Sequence, residues 1–172
     1  SDRAKRRISD ENQLLKGNKL GWAQIHILRA PGIYGSDRLP VERLKTRQPA
    51  IEAKDDSWSN HIHEVDLGRL AFWCQIKGGS RTVINACDQH PLRMGDYFDQ
   101  VADALGLERP PRLPRDKVRE LVSPMMWSFM QESRKIRSIR LHQIGFKLKY
   151  PSVQTCLDEL KQIRQTSFPC SL

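Results

Sequence analysis

The stretch that decides the fold is WAQIHILRAPGIYG, residues 22 to 35. Ala23, Ile25, Ile27 and Ala30 sit among Trp22 and Leu28 in a near-continuous apolar run over 22–30, with turns on both sides. Such a run predicts a buried strand, because a strand covered on both faces shows no polar alternation. Its carboxyl end passes directly into Pro31, Gly32 and Gly35. Ligands of open α/β sheets bind at strand carboxyl ends.

The neighbouring segments extend this unit. Upstream, residues 4–16 place Ala4, Ile8 and Leu15 along one side of an amphipathic helix, with Gly17 as its stop. Downstream, residues 31–60 are rich in proline and charge and hold a short helical piece, RLPVERLK, and a possible short strand, PAIEA. Leu67, Leu70, Ala71 and Cys74 then recur at helical spacing, ended by Gly78 and Gly79, and RTVINAC (81–87) reads as a second buried strand. Strand, crossover helix and strand form the βαβ pattern of a parallel sheet. MGDYFDQVADALGL (94–107) is a further helix with Met94, Phe98, Val101, Ala102 and Leu105 on one face and Gly106 at its end.

Beyond residue 107 the composition shifts. ERPPRLPR interrupts regular structure, and Arg109 to Tyr150 holds 11 Lys+Arg against 3 Asp+Glu. Ser123 and Pro124 are an N-cap and first-turn pair for a helix reaching about Ser133; IGFKLKYP is extended; Ser152 opens a last helix with Val153, Leu157, Leu160 and Ile163 inward. The expected architecture is α/β, the C-terminal part of a Rossmann-like parallel sheet (1–107) followed by a small, mostly helical, basic substrate-binding lobe (108–172).

The whole chain has 172 residues, 38% hydrophobic and 28% charged, and a net charge of +9, of which eight charges fall in that basic segment. This excludes collagen and disordered polyelectrolytes and favours anionic partners: nucleotides, phosphorylated sugars, nucleic acid or acidic membrane. Cys74, Cys87, Cys156 and Cys170 contain no CxxC pair, so reduced thiols are expected, with no metal bound. No run approaches a spanning helix and no signal-peptide core is present, so a cytoplasmic chain without a membrane partner is expected. The opening at Ser1, already helical in character, suits a fragment or a processed chain.

ILRAPGIYG, SNHIHEVDLGRL (59–70), TVINACD, the LGL ending of the 94–107 helix and IGFKLKYP stand in one order. Together they resemble the C-terminal half of the extended short-chain dehydrogenase/reductases, the NAD-dependent epimerase/dehydratase type. PGIYGSDRLPVERL and MGDYFDQVADALGLERPPRLP are most similar to the nucleoside-diphosphate-sugar epimerase-like branch. The resemblance implies an oxidoreductase or epimerase using NAD or NADP, with Ala30, Pro31, Gly32 and Ile33 edging the nicotinamide and Tyr34, Arg38, Asn60, His61 and Arg134 as substrate contacts. A guanidinium such as that of Arg134 suits a phosphate or carboxylate because it binds either one bidentately.

The sequence also departs from the family. It has no GxxGxxG or GxGxxG turn for a cofactor pyrophosphate and no Tyr with Lys four residues on, so no catalytic residue carries over. Asn is usual at the position of Gly32 and Arg near Ser59, and both are changed here. The chain alone is therefore expected to bind no cofactor and to catalyse no hydride transfer, with a cofactor-binding N-terminal half as its missing partner and a homodimer possible. Bland readings stand beside these: Tyr34 as a packed residue, His61 and His63 as a structural or pocket-lining pair rather than a metal pair, Asp66 as a helix cap, and the cluster Met125, Met126, Phe129 and Met130 as core or lid. The competing function is a non-enzymatic basic α/β module binding nucleic acid through residues 109–150, against which Trp127, Phe129 and Phe146 sit in apolar company, as core residues do.

Overall fold

A computed structural model of the chain describes residues 2–21, 24–77 and 82–167. In chain order the elements are α1 (Asp2–Lys19), β1 (His26–Arg29), β2 (Gly32–Tyr34), α2 (Val41–Lys45), β3 (Ala50–Ile51), β4 (Trp58–Ser59), β5 (His61–His63), α3 (Glu64–Lys77), β6 (Thr82–Asn85) and β7 (Leu92–Arg93). They continue with α4 (Met94–Leu105), β8 (Arg112–Leu113), α5 (Arg115–Leu121), α6 (Pro124–Met130), α7 (Ile139–Gln143) and α8 (Val153–Ser167).

The expected βαβ unit is present. β1 and β6 run parallel, Leu28 opposite Ile84, with α3 in the connection between them. β2 and β5 are also parallel, Ile33 opposite Ile62. The Asp88 N–H donates to the His61 carbonyl at 2.7 Å and the Ala86 N–H to the Arg29 carbonyl at 3.0 Å, so the chain leaving β6 is tied to both pairs. β3 pairs parallel with β8, and β4 antiparallel with β7. The mixed α/β character and short parallel pairs are those of the C-terminal part of a Rossmann-like sheet.

α3 buries Leu70 and Cys74 against Ile84 and Ala86 of the β6 side, together with Leu141 and Phe146. α4 buries Phe98, Val101 and Ala102, closed by Gly106 at φ +68, a left-handed value that glycine adopts without a Cβ penalty. Its partner is α8, whose Val153, Cys156 and Leu157 complete one core cluster with Tyr34, Leu44 and Ala50. α8, expected within the second lobe, thus returns to the first. A third cluster, Ile51, Val118, Val122 and Met130, holds the basic segment to β3.

Several expectations are corrected. Gly17 does not stop the first helix; it is buried within α1, which ends near Gly21 at φ +77. Ile8 is 58% exposed while Leu15 is half-buried, and the helix is pinned by Arg29 donating to Glu11 at 2.6 Å. That guanidinium holds the Glu11 carboxyl below its ordinary value. β1 is half-buried rather than buried, having β6 as its hydrogen-bonded neighbour among the described residues. The helix begun at Ser123, whose hydroxyl accepts the Met126 N–H at 3.2 Å, ends at Met130, not near Ser133. Ile163 faces outward, and a helix not anticipated from the sequence, α5, starts at the last residue of the irregular stretch 108–115. Cys74, Cys87 and Cys156 are buried free thiols. Trp22, Ala23, Gly78, Gly79, Arg81 and Cys170 lie outside the described residues.

Asp66 is also reassigned. It lies in the first turn of α3, completely buried, and its two oxygens accept the N–H groups of Lys149 (2.9 Å) and Tyr150 (2.7 Å), with Arg69 as its ion partner. It anchors a distant chain rather than capping its own helix. Replacing it with alanine orphans the buried Tyr150 N–H and the partly buried Lys149 N–H, so Asp66→Ala is expected to lower stability by roughly 2–4 kcal/mol. Urea unfolding monitored by tryptophan fluorescence measures the loss.

Candidate functional site

The site is built where the parallel strands end. Ala30 and Pro31, just past β1, are half-buried, whereas Gly32 and Ile33 are exposed, leaving a short backbone edge open to a ligand. Gly32 has a packing reason to be glycine: a Cβ there would lie 3.2 Å from His61 Cδ2 and 3.3 Å from the Asn60 carbonyl. The His61 ring occupies the room that a larger residue at 32 would need.

Beside β4, the start of β5 and the end of β6 runs an irregular strap, residues 131–138, fastened at successive points. The Trp58 N–H donates to Ser133 Oγ at 3.1 Å, and the Arg134 N–H to the Trp58 carbonyl at 3.3 Å. Asn60 then uses its whole amide: Nδ2 donates to the Arg134 carbonyl and Oδ1 accepts the Ile136 N–H, both at 2.8 Å. Cys87 Sγ donates to the Ile136 carbonyl at 3.7 Å, and the Ser138 hydroxyl donates to the Asn85 carbonyl. Asn60 therefore acts like one residue of a strand, pairing with the strap. Its amide is engaged by protein, so it serves the site by positioning rather than by direct contact.

The strap exposes Arg134, Lys135 and Arg137, and none of the three forms an ion pair among the described residues. Lys135 Nζ lies 3.6 Å and Arg93 Cζ 4.5 Å from the centre of the Trp58 ring, a cation–π pair of contacts that fixes Lys135 and adds one further positive charge nearby. Arg38 projects from the turn after β2 and is paired with Glu64 at 3.1 Å.

Tyr34 and His61 lie beneath. Tyr34 is 1% exposed and stands edge-on to both His61 and His63, while His61 stacks on Tyr97 at 4.5 Å and His63 on Tyr150 at 3.7 Å. Alternation along β5 places both imidazoles against Tyr34 as aromatic packing, and no group of three metal-ligating side chains occurs among the described residues. His61 Nε2 shares a hydrogen bond with Ser59 Oγ at 3.2 Å. Burial pushes the His61 pKa down to about 4, so the ring is neutral near pH 7.

Asp88 was read only as part of the strand-end pattern, yet it is the most perturbed carboxyl group here. It is 1% exposed, Oδ1 accepts the His90 N–H at 3.1 Å, and Oδ2 has no hydrogen-bond partner. Burial raises its pKa to about 7. Tyr34 OH and His61 Nδ1 are likewise buried without partners. Asp following an Asn-Ala-Cys strand end was the only sequence signal available, and it carries no information about burial.

No family model matches the chain. Among known proteins, it is 24% identical over 159 residues to an Arabidopsis thaliana chloroplastic protein described as an epimerase family protein SDR39U1 homolog, covering 88% of this chain and 44% of that one. A conserved protein of unknown function from Silicibacter pomeroyi superposes with a TM-score of 0.80 at 25% identity, over 96% of this chain and 56% of that one. Human epimerase family protein SDR39U1, solved with NADPH, superposes with a TM-score of 0.65 at 15% identity, over 80% and 48%. The chain spans about half the length of these relatives, and its fold is that of the C-terminal half of an epimerase-type short-chain dehydrogenase/reductase.

A carboxyl pKa raised by folding means that the native state holds its proton more tightly than the unfolded chain. The Asp88 contribution to stability is therefore full below about pH 4 and is lost as pH rises to about 7; His61 opposes it, its contribution being lost as pH falls from 6.5 to about 4. Asp88→Asn removes the first dependence. The variant is expected to exceed the parent in stability at pH 8 by roughly 1–3 kcal/mol and by much less at pH 5, as read from urea midpoints at the two pH values.

Proposed function

We propose that this chain is the substrate-binding portion of an NAD(P)-dependent epimerase, dehydratase or reductase acting on an anionic polar substrate such as a sugar nucleotide. The observation that carries the reading is the strap pinned to Asn60 and to the end of β6, which exposes Arg134, Lys135 and Arg137 without ion partners among the described residues. Holding unpaired cations on a pinned segment lowers the ordering cost of binding an anion. Arg134 is the substrate clamp, Arg38 a second contact on the opposite side of the edge, and Asn60, His61 and Tyr34 position them from behind.

NAD or NADP supplies hydride chemistry when bound. The exposed backbone of Gly32 and Ile33, with Ala30 and Pro31, fits the edge of a nicotinamide pocket, while a pyrophosphate cradle has no counterpart in this sequence. The cofactor-binding half is accordingly a partner segment. Ile8 of α1, exposed one turn from the Glu11 contact to Arg29 of β1, supports a docking surface for it on the β1 side of the molecule.

Titration of the chain with UDP-glucose tests the clamp. Arg134→Ala is expected to weaken binding by about tenfold, and Asn60→Ala by a similar factor through loss of the strap geometry. Arg109→Ala, whose partner Asp103 lies on α4, should leave affinity unchanged. Equal affinity in the parent and Arg134→Ala would remove the assignment.

A further inference from the structure

The chain leaving β6 ties the strap to the sheet, and it carries a carboxyl group buried without a counter-charge. Asp88 is 1% exposed; Oδ1 accepts the His90 N–H at 3.1 Å, Oδ2 has no hydrogen-bond partner, and no ion pair reaches either oxygen among the described residues. Ionisation there takes a charge out of water with nothing in exchange, whereas the neutral acid loses little. The setting suits the protonated form, and burial accordingly raises the pKa to about 7.

The groups around it offer no relief. Tyr34 of β2 faces it as an acid whose own ionisation the Asp88 charge opposes. His61 of β5 takes the Asp88 N–H on its carbonyl at 2.7 Å, and its ring, stacked on Tyr97 of α4, stays neutral until about pH 4. His63 of β5, its pKa also lowered by burial, stands about Tyr34 with Asp66 of α3 and Cys156 of α8. On the segment itself are Cys87, a buried thiol, and His90, which is exposed. The cations of the strap, Arg134, Lys135 and Arg137, are exposed and pair with none of these.

Water is one residue away. Gln89 and His90 are exposed and residues 86–90 are irregular, so a small shift brings the carboxylate to solvent while β6 stays paired with β1. That shift undoes two ties to the strap. Cys87 Sγ, which donates to the Ile136 carbonyl at 3.7 Å, is withdrawn, and the Asn85 carbonyl, which accepts the Ser138 hydroxyl, turns with the peptide it shares with Ala86.

We propose that residues 86–90 are a pH-operated latch: with Asp88 protonated they lie against β5 and hold the strap at Ile136 and Ser138, and with Asp88 ionised they swing to solvent and release it. Rising pH therefore loosens the strap. That this weakens the hold on an anionic substrate rests on the proposed function; the movement itself does not.

Hydrogen–deuterium exchange of the chain without ligand at pH 6 and pH 8.5, each rate corrected for the intrinsic rate at that pH, tests the latch. The outcome is independent of whether the chain binds UDP-glucose. Protection of residues 86–88 and 136–138 is expected to fall about tenfold at the higher pH and to lie well below that of the α4 core, as local opening requires. Asp88→Asn, neutral at both pH values, should keep its pH 6 protection at pH 8.5. His61 cannot imitate this result, since its protonation would loosen the region at low pH instead. Equal protection at both pH values in the parent overturns the proposal. So does exchange of the two segments in step with α4, which would mean global unfolding, or an unchanged pH dependence in Asp88→Asn.

Discussion

The candidate site depends on one side chain behaving as backbone. Asn60 offers an amide donor and an amide acceptor at the spacing of a peptide group, and the strap takes both, at 2.8 Å each. Without that clip the segment after α6 keeps only the Trp58 bonds at Ser133 and Arg134, the long thiol contact from Cys87 to Ile136 and the Ser138 bond to Asn85. Clipped, it carries Arg134, Lys135 and Arg137 alongside the start of β5 and the end of β6. The sheet determines where the edge is; Asn60 determines what stands beside it.

Beneath the strap the molecule accepts an electrostatic cost. Asp88 is kept in an apolar setting with one oxygen unpartnered, and His61 is held neutral by the same burial. Buried polar atoms left without partners destabilise a fold unless something compensates, and they concentrate where a structure serves function. Here they lie directly behind the strand ends that carry the open backbone edge. The surrounding aromatic stack of Tyr34, His61, Tyr97, His63 and Tyr150 supplies the packing that keeps the region rigid.

Much of the fold was legible because periodicity reports burial. Ile84 and the Phe98–Val101–Ala102 face follow from apolar spacing, and Gly106 marks its helix end as its φ requires. The helix ends at Gly17 and Met130 were misread because tertiary contacts, not local propensity, set them: Gly17 is buried inside α1, and the chain after Met130 is taken by Trp58 and Asn60. Asp66 was misread for a related reason. A carboxylate at a helix start resembles a cap, and only the fold shows that its acceptors face residues 149 and 150, far along the chain. Arg134 was found from its chemistry, but Asn60 and Asp88 owe their roles to contacts across more than twenty residues, and no local pattern encodes those.

Hydrogen–deuterium exchange with and without a nucleoside diphosphate sugar tests the central claim most directly, because it reports on the strap itself. Slower exchange confined to residues 131–138 and to the edge at 30–34 is the predicted result. Unchanged exchange in both segments at saturating ligand, or protection only on α5 and α6, would contradict the placing of an anionic substrate over the strand ends.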